Sequence, residues 1–209
     1  MITHRFANLI SLLKSDFALR EELILRGELF GGYHPEMEAL QTANGKELES
    51  LIELFGWPHK DIDGEEAVKS AWYIVMHAIS LPSLQRKVLA ILKADQDACT
   101  PLQLAMLEDR VLVFSGKKQK YGTQMDWDPN GNLNPFPIEN FERVNHLRKE
   151  VNLPSLQESI ATLRERAITE RDHPPVNLAE YTRSREDWML RFGWINNKSE
   201  IDKAYSAYR

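Results

Sequence analysis

Apolar residues return at helical spacing along nearly the whole of this chain, and the rhythm fails only between Tyr121 and Ile138. Phe6, Leu9, Ile10, Leu13 and Phe17, followed by Leu23 and Ile24, predict a first amphipathic helix, which Gly31-Gly32 and Pro35 break. Asn44-Gly45-Lys46-Glu47 has the form of an N-cap with Glu at the third position, opening a helix that closes at Gly56 before Trp57-Pro58. Asp63-Gly64-Glu65-Glu66 repeats that start for a helix running to about Ser80. Pro82 opens another, with Leu84, Val88, Ile91 and Leu92 inward. Thr100-Pro101-Leu102-Gln103 is a capping box with Pro at the first helical position, and its helix should close at Gly116. In the exceptional stretch, Asn130-Gly131 between extended flanks is a hairpin signal. Helix returns over 139–151 and 154–171, and His173-Pro174-Pro175 makes a corner. The expected fold is mainly α. It comprises a multi-helix domain over 1–171 with a small β-hairpin inserted at about 118–138, and a helical extension over 172–209.

Composition narrows the function classes. With 209 residues, 43% of them hydrophobic and 27% charged, the chain has enough material for one domain with a real core. A formal charge of -5 gives no global positive field, so neither nucleic acid nor an anionic membrane is an expected partner. Cys99 is the single cysteine, which excludes an internal disulfide framework and a multi-cysteine zinc site and fits a reducing cytosol. No apolar run is long enough to span a bilayer, and the start lacks the apolar core of a signal peptide, so a cytoplasmic location is expected.

Two helices hold polar residues where chemistry would be placed. Over 64–80, Val68, Ala71, Trp72, Val75 and Ile79 form one face, and Ala67, Ile74, Met76 and Ala78 widen it. Only Glu66, Ser70, Tyr73 and His77 remain polar, at i, i+4, i+7 and i+11. Such a stripe is either solvated, with its histidine satisfied, or it faces a cleft in which His77 is an acid, a base or a phosphate donor; an imidazole, alone among these side-chain types, exchanges protons near neutral pH. The helix over 101–115 is almost wholly apolar, yet Asp109-Arg110 stands in its middle. Charges there form a structural ion pair or face a cavity. After Gly116, the run Lys117, Lys118, Lys120 is the only dense basic stretch, and Gln119, Tyr121, Thr123 and Gln124 gather donors at one junction. That junction is either a solvated loop or a binding element.

The remaining motifs are negative. Asp126-Trp127-Asp128-Pro129-Asn130-Gly131-Asn132 imitates the first half of a calcium loop, but Pro137 stands where the bidentate Glu belongs, and a hairpin turn accounts for the same residues. No nucleophile elbow, phosphate loop or dinucleotide fingerprint occurs. His4, His34, His59, His146 and His173 lie scattered without ligand spacing, so no metal and no cofactor is expected.

The ordered set Gly56-Trp57-Pro58, His77-Ala78, Gln85, Asp109-Arg110, Gly116, Gln119-x-Tyr121-Gly122-Thr123-Gln124 and Pro137-Ile138 resembles a bacterial family catalogued as a domain of unknown function. The resemblance covers roughly residues 8–165. Arg148 matches an Arg of that family, and Asn145 stands where the family has Asp. It marks residues without naming a reaction.

Residues and resemblance together give the expected site: His77, Asp109 and Arg110 as catalytic groups, with Gln85, Gln119, Tyr121, Thr123 and Gln124 binding substrate. His77, Arg110, Gln119, Tyr121 and Gln124 are expected to share one pocket. The chain is then a hydrolase or group transferase acting on a small molecule, a nucleotide or sugar among the candidates. The rival is a non-catalytic interaction module in which the same residues are a structural network. In it, exposed aromatics of the C-terminal segment (Tyr181, Trp188, Phe192, Trp194, Tyr205, Tyr208) meet a protein partner.

Overall fold

A computed structural model of the chain describes residues 5–30, 32–95, 97–128 and 130–208, the side chains of 206–208 excepted. His4, Gly31, Pro129 and the Tyr208 side chain, all invoked above, lie outside them. Helix dominates as expected, with nine α-helices among the described residues and one two-stranded antiparallel sheet. The chain divides into two compact units, Met1–Leu104 and Ala105–Arg209.

The first unit holds α1 (Ala7–Arg26), α2 (Pro35–Phe55), α3 (Lys60–Asp63), α4 (Glu65–His77), α5 (Pro82–Ala94) and the start of α6 (Pro101–Phe114). α4 is its centre and touches α1, α2, α3 and α5. Ala67, Ala71, Trp72, Ile74, Val75 and Met76 are buried on α4, as the nearly all-round apolar pattern demands. Trp57 anchors the Gly-Trp-Pro turn by donating its indole N–H to the Ala98 carbonyl at 3.1 Å.

The Asn44-Gly45 start signal is overridden. α2 begins at Pro35 with His34 as N-cap and runs straight through it. Met37, Gln41, Asn44, Leu48 and Ile52 make one continuous buried stripe, spaced by three or four. Asn44 donates to the Leu12 carbonyl at 3.3 Å rather than capping its own helix. Gly45 permits a close crossing, since an added Cβ would stand 2.7 Å from both Ala78 Cβ and Leu81 Cδ1. The second start signal also moves. Asp63 closes α3, accepting from the His59 backbone N–H at 3.0 Å and from Arg5 at 2.8 Å, and α4 ends at His77, short of Ser80. The third stands as read: the Thr100 hydroxyl accepts from Gln103 N–H while the Gln103 side chain accepts from Thr100 N–H.

The second unit contains most of α6, then β1 (Met125–Trp127), β2 (Leu133–Pro135), α7 (Val144–Glu150), α8 (Leu156–Glu170) and α9 (Leu178–Phe192). The hairpin pairs Met125 with Pro135, Asp126 with Asn134 and Trp127 with Leu133. Asp128 builds the turn by accepting from the Asn130 and Asn132 backbone N–H groups and the Asn134 side chain. α7 is shorter than the predicted 139–151, because residues 141–143 form turns in which Asn140 accepts from Arg143 N–H.

Among the described C-terminal aromatics, Trp194 and Tyr205 are buried and Tyr181, Trp188 and Phe192 half-buried, correcting the expectation that they are exposed. Trp194 and Tyr205 are buried with Val113, Phe136, Met189, Ile195 and Ile201. Phe136 stacks on Tyr205, and Phe114 contacts Trp188 and Trp194. The closing segment also seals the end of α6. Gly116, at φ +69°, lies so close to Ile201 that a Cβ would meet its Cα at 2.8 Å. Asp202 N–H donates to the Gly116 carbonyl at 2.7 Å, and the Tyr205 hydroxyl to the Lys117 carbonyl at 2.8 Å.

Candidate functional site

In the first unit the chemistry gathers at the C-terminal end of α4. His77 Nδ1 lies 3.0 Å from Oδ1 of Asp16 on α1. The Asp16 carboxylate is 1% exposed and the imidazole 24%. Gln41 on α2 donates to the same Asp16 oxygen at 3.3 Å and accepts from the Tyr33 hydroxyl at 2.6 Å. A carboxylate is an acceptor, so Nδ1 is the nitrogen that donates in this pair and Nε2 is the one turned away from it. No hydrogen bond reaches Nε2 among the described residues. Phe17 and Tyr73 pack edge-on to the ring, with centroids 5.9 and 6.0 Å away. Gln85, fully buried on α5, donates to the Val75 carbonyl at 2.7 Å and holds the last turn of α4, while its own carbonyl has no partner among the described residues.

In the second unit a buried carboxylate organises the junction after Gly116. Asp109 is fully buried on α6 and accepts from the backbone N–H groups of Lys120 (2.8 Å), Tyr121 (3.1 Å) and Thr123 (3.0 Å), and from the Thr123 hydroxyl (3.0 Å). Burial pushes its carboxyl above the usual range, and these hydrogen bonds oppose the rise. Gln119 is equally enclosed. It donates to the Gln124 and Phe136 carbonyls at 2.8 and 2.9 Å and accepts from Gln124 N–H at 2.9 Å. Arg110 donates to the Gln124 side-chain oxygen at 3.0 Å, and Gln124 donates to Thr123.

Arg148 on α7 closes the loop from the other side. It donates to the carbonyls of Tyr121 (2.6 Å) and Pro154 (2.7 Å) and to the Ser159 hydroxyl. Burial lowers its pKa, and the Asp109 charge works against that. The Tyr-Gly-Thr stretch is thus held between an anion that takes its amides and a cation that takes its carbonyls. Gly122 at its apex has φ +68°, and a Cβ there would stand 2.8 Å from Leu156 Cδ1.

Of the residues predicted for the site, Asp109, Arg110, Gln119, Tyr121, Thr123 and Gln124 form one connected network within the second unit. His77 and Gln85 belong to the first. Asp109, Gln119 and Gln85 are enclosed and bonded to protein. Tyr121 enters through its backbone, with its phenol half-buried. Sequence reasoning missed Asp16, Gln41 and Tyr33. One signal was available, because Asp16 falls on the Leu9, Leu13, Leu23 stripe of α1, where a carboxylate is buried and must be paired. The Asp126 carboxylate is taken by Arg185 at 2.7 Å and by the Tyr181 hydroxyl, so this half calcium loop is committed to its own protein. Among the described residues no three His, Cys, Asp or Glu side chains group as a metal site requires, and no helix is long and apolar enough to cross a membrane. Burial pushes the Cys99 thiol up, away from the reactive thiolate.

Fold and site together define a mainly helical protein with a surface imidazole aimed by a buried carboxylate and a glycine loop clamped beside a short hairpin. The chain belongs to a family of unknown function, DUF6624, whose model matches residues 7–170. That span contains Asp16, His77, the clamped loop and Arg148, and it ends before α9. No curated protein and no solved structure matches the chain.

Proposed function

We propose that the chain is a hydrolase or group transferase whose general acid–base group is His77, oriented by Asp16. The observation that carries this reading is the asymmetry of the imidazole. One nitrogen is tied at 3.0 Å to a carboxylate that is 1% exposed, and the other is unpartnered among the described residues on a ring that is 24% exposed. An imidazole so held can take a proton at Nε2 and return it, while Asp16 stabilises the charge that forms between those steps. Phe17 and Tyr73 beside the ring suit a sugar or a nucleobase in a small substrate. Gln85, which holds the last turn of α4, is a positioning residue in this reading.

A second reading is favoured by the saturation of the second unit's network. Asp109 and Gln119 have their hydrogen-bonding groups occupied by protein, as befits a non-catalytic interaction module. Turnover of p-nitrophenyl esters, phosphates and glycosides, and of nucleotides, by wild type, His77→Gln and Asp16→Asn separates the two. The expected result is a loss of about 10²–10⁴-fold in kcat/KM for His77→Gln with melting temperature retained. Nitrogen-15 NMR of wild type should show the Nδ1–H tautomer. An Nε2–H tautomer, or undiminished turnover by His77→Gln, leaves the interaction module standing alone.

A further inference from the structure

Beside the clamped loop, independent of His77, lies a pocket of about 270 Å³. Met106, Met125, Leu153 and Leu163 give it an apolar wall, and Ser159, Thr162 and Arg148 give it polar edges. Arg148 is 1% exposed and yet has no carboxylate within ion-pair distance among the described residues. A guanidinium has five N–H donors. The Nε bond to Pro154, the two Nη1 bonds to Tyr121 and Gly122 and the Nη2 bond to Ser159 use four, which leaves one on Nη2. Ser159 accepts there, so its own hydroxyl hydrogen is unspent among the described residues. Asp109 lies on the far side of the loop with its oxygens filled by amides. A buried cation without an adjacent anion is costly, and a ligand that supplies the anion recovers that cost.

We infer that this pocket binds a small amphipathic carboxylate, its head on the Arg148 Nη2 and Ser159 hydroxyl donors and its apolar body against Met106, Met125 and Leu163. At about 30 Å³ per water-sized group, the volume admits a molecule of about nine non-hydrogen atoms. Benzoate has that size, and benzamide is its neutral isostere.

Calorimetry and saturation-transfer NMR with these two probes test the assignment. Benzoate should bind wild type with a Kd below about 1 mM, and benzamide at least ~10-fold more weakly. Thr162→Trp fills the exposed mouth without touching the Arg148 bonds and should abolish binding, its fold being checked by its melting temperature. Ser159→Ala, which removes one head-group donor, should weaken benzoate by about 5–10-fold. No binding of benzoate to wild type at about 10 mM, equal affinity for benzamide, or affinities unchanged in both variants would overturn the inference.

Discussion

Replacing Asp109 by Asn keeps the shape of the side chain and inverts half of its chemistry. Oδ1 receives the Lys120 and Tyr121 amides at 2.8 and 3.1 Å, and Oδ2 receives the Thr123 amide and hydroxyl, each at 3.0 Å. Whichever oxygen becomes NH2, at least one backbone N–H then faces another donor inside the protein. A buried donor left unsatisfied costs about 1–3 kcal/mol, and the surviving bonds lose the charge that strengthened them, roughly another 1–2 kcal/mol. Relief from burying an ion returns part of this, so the net loss should be about 2–4 kcal/mol. For a chain of this length each kcal/mol lowers the melting temperature by about 2–4 °C, giving a drop of roughly 4–16 °C. Urea denaturation measures the loss, and native-state hydrogen exchange should find the Lys120, Tyr121 and Thr123 amides deprotected first. A loss below about 0.5 kcal/mol with protection unchanged would refute the view that Asp109 holds the loop.

Gly45→Ala should destabilise by about 1–3 kcal/mol although Ala is the better helix former, because its Cβ would be driven into Ala78 and Leu81; a rise in melting temperature would show that the crossing can open. Burial pulls Asp128 upward, yet the bonds from Asn132, Asn134 and Asn130 and the Arg164 charge together hold its carboxyl below the ordinary value. A depressed pKa stabilises the fold above the unfolded value near 4 and loses that support as pH falls through the folded one. Melting curves of Asp128→Asn should therefore differ from wild type by a steady amount above about pH 4 and converge on it as pH falls below that value; a difference that does not shrink in acid would contradict the assignment.

The fold was legible where helix periodicity and turn chemistry agreed. The Thr100 capping box and the Asn130-Gly131 turn sit where local signals put them, because each is satisfied by atoms a few residues away. Asn44-Gly45 misled because the same dipeptide serves a tertiary purpose: its glycine admits another segment, and its amide reaches α1. The candidate site was legible by residue and not by role. Asp109 announces itself as a charge on an almost wholly apolar helix, and Arg148 is marked only by the family resemblance, but spacing cannot tell a carboxylate that faces a cavity from one wrapped in amides. The partner of His77, 61 positions away, was hidden because pairing over that distance is set by how α1 crosses α4.

The seal on Gly116 has a consequence for how the protein is made. Tyr205 reaches the Lys117 carbonyl across 88 positions of sequence. At synthesis rates of about 5–20 residues per second, that separation is roughly 4–18 s of translation. For that interval Asp109 and the residues it gathers exist without the strand of backbone that covers the end of α6, and Phe114 and Val113 lack Trp194 and Tyr205. The earlier helices have time to settle before the segment that holds Ile201 and Tyr205 arrives. The seal on the end of α6 therefore forms after the helices and the hairpin that precede it in the chain.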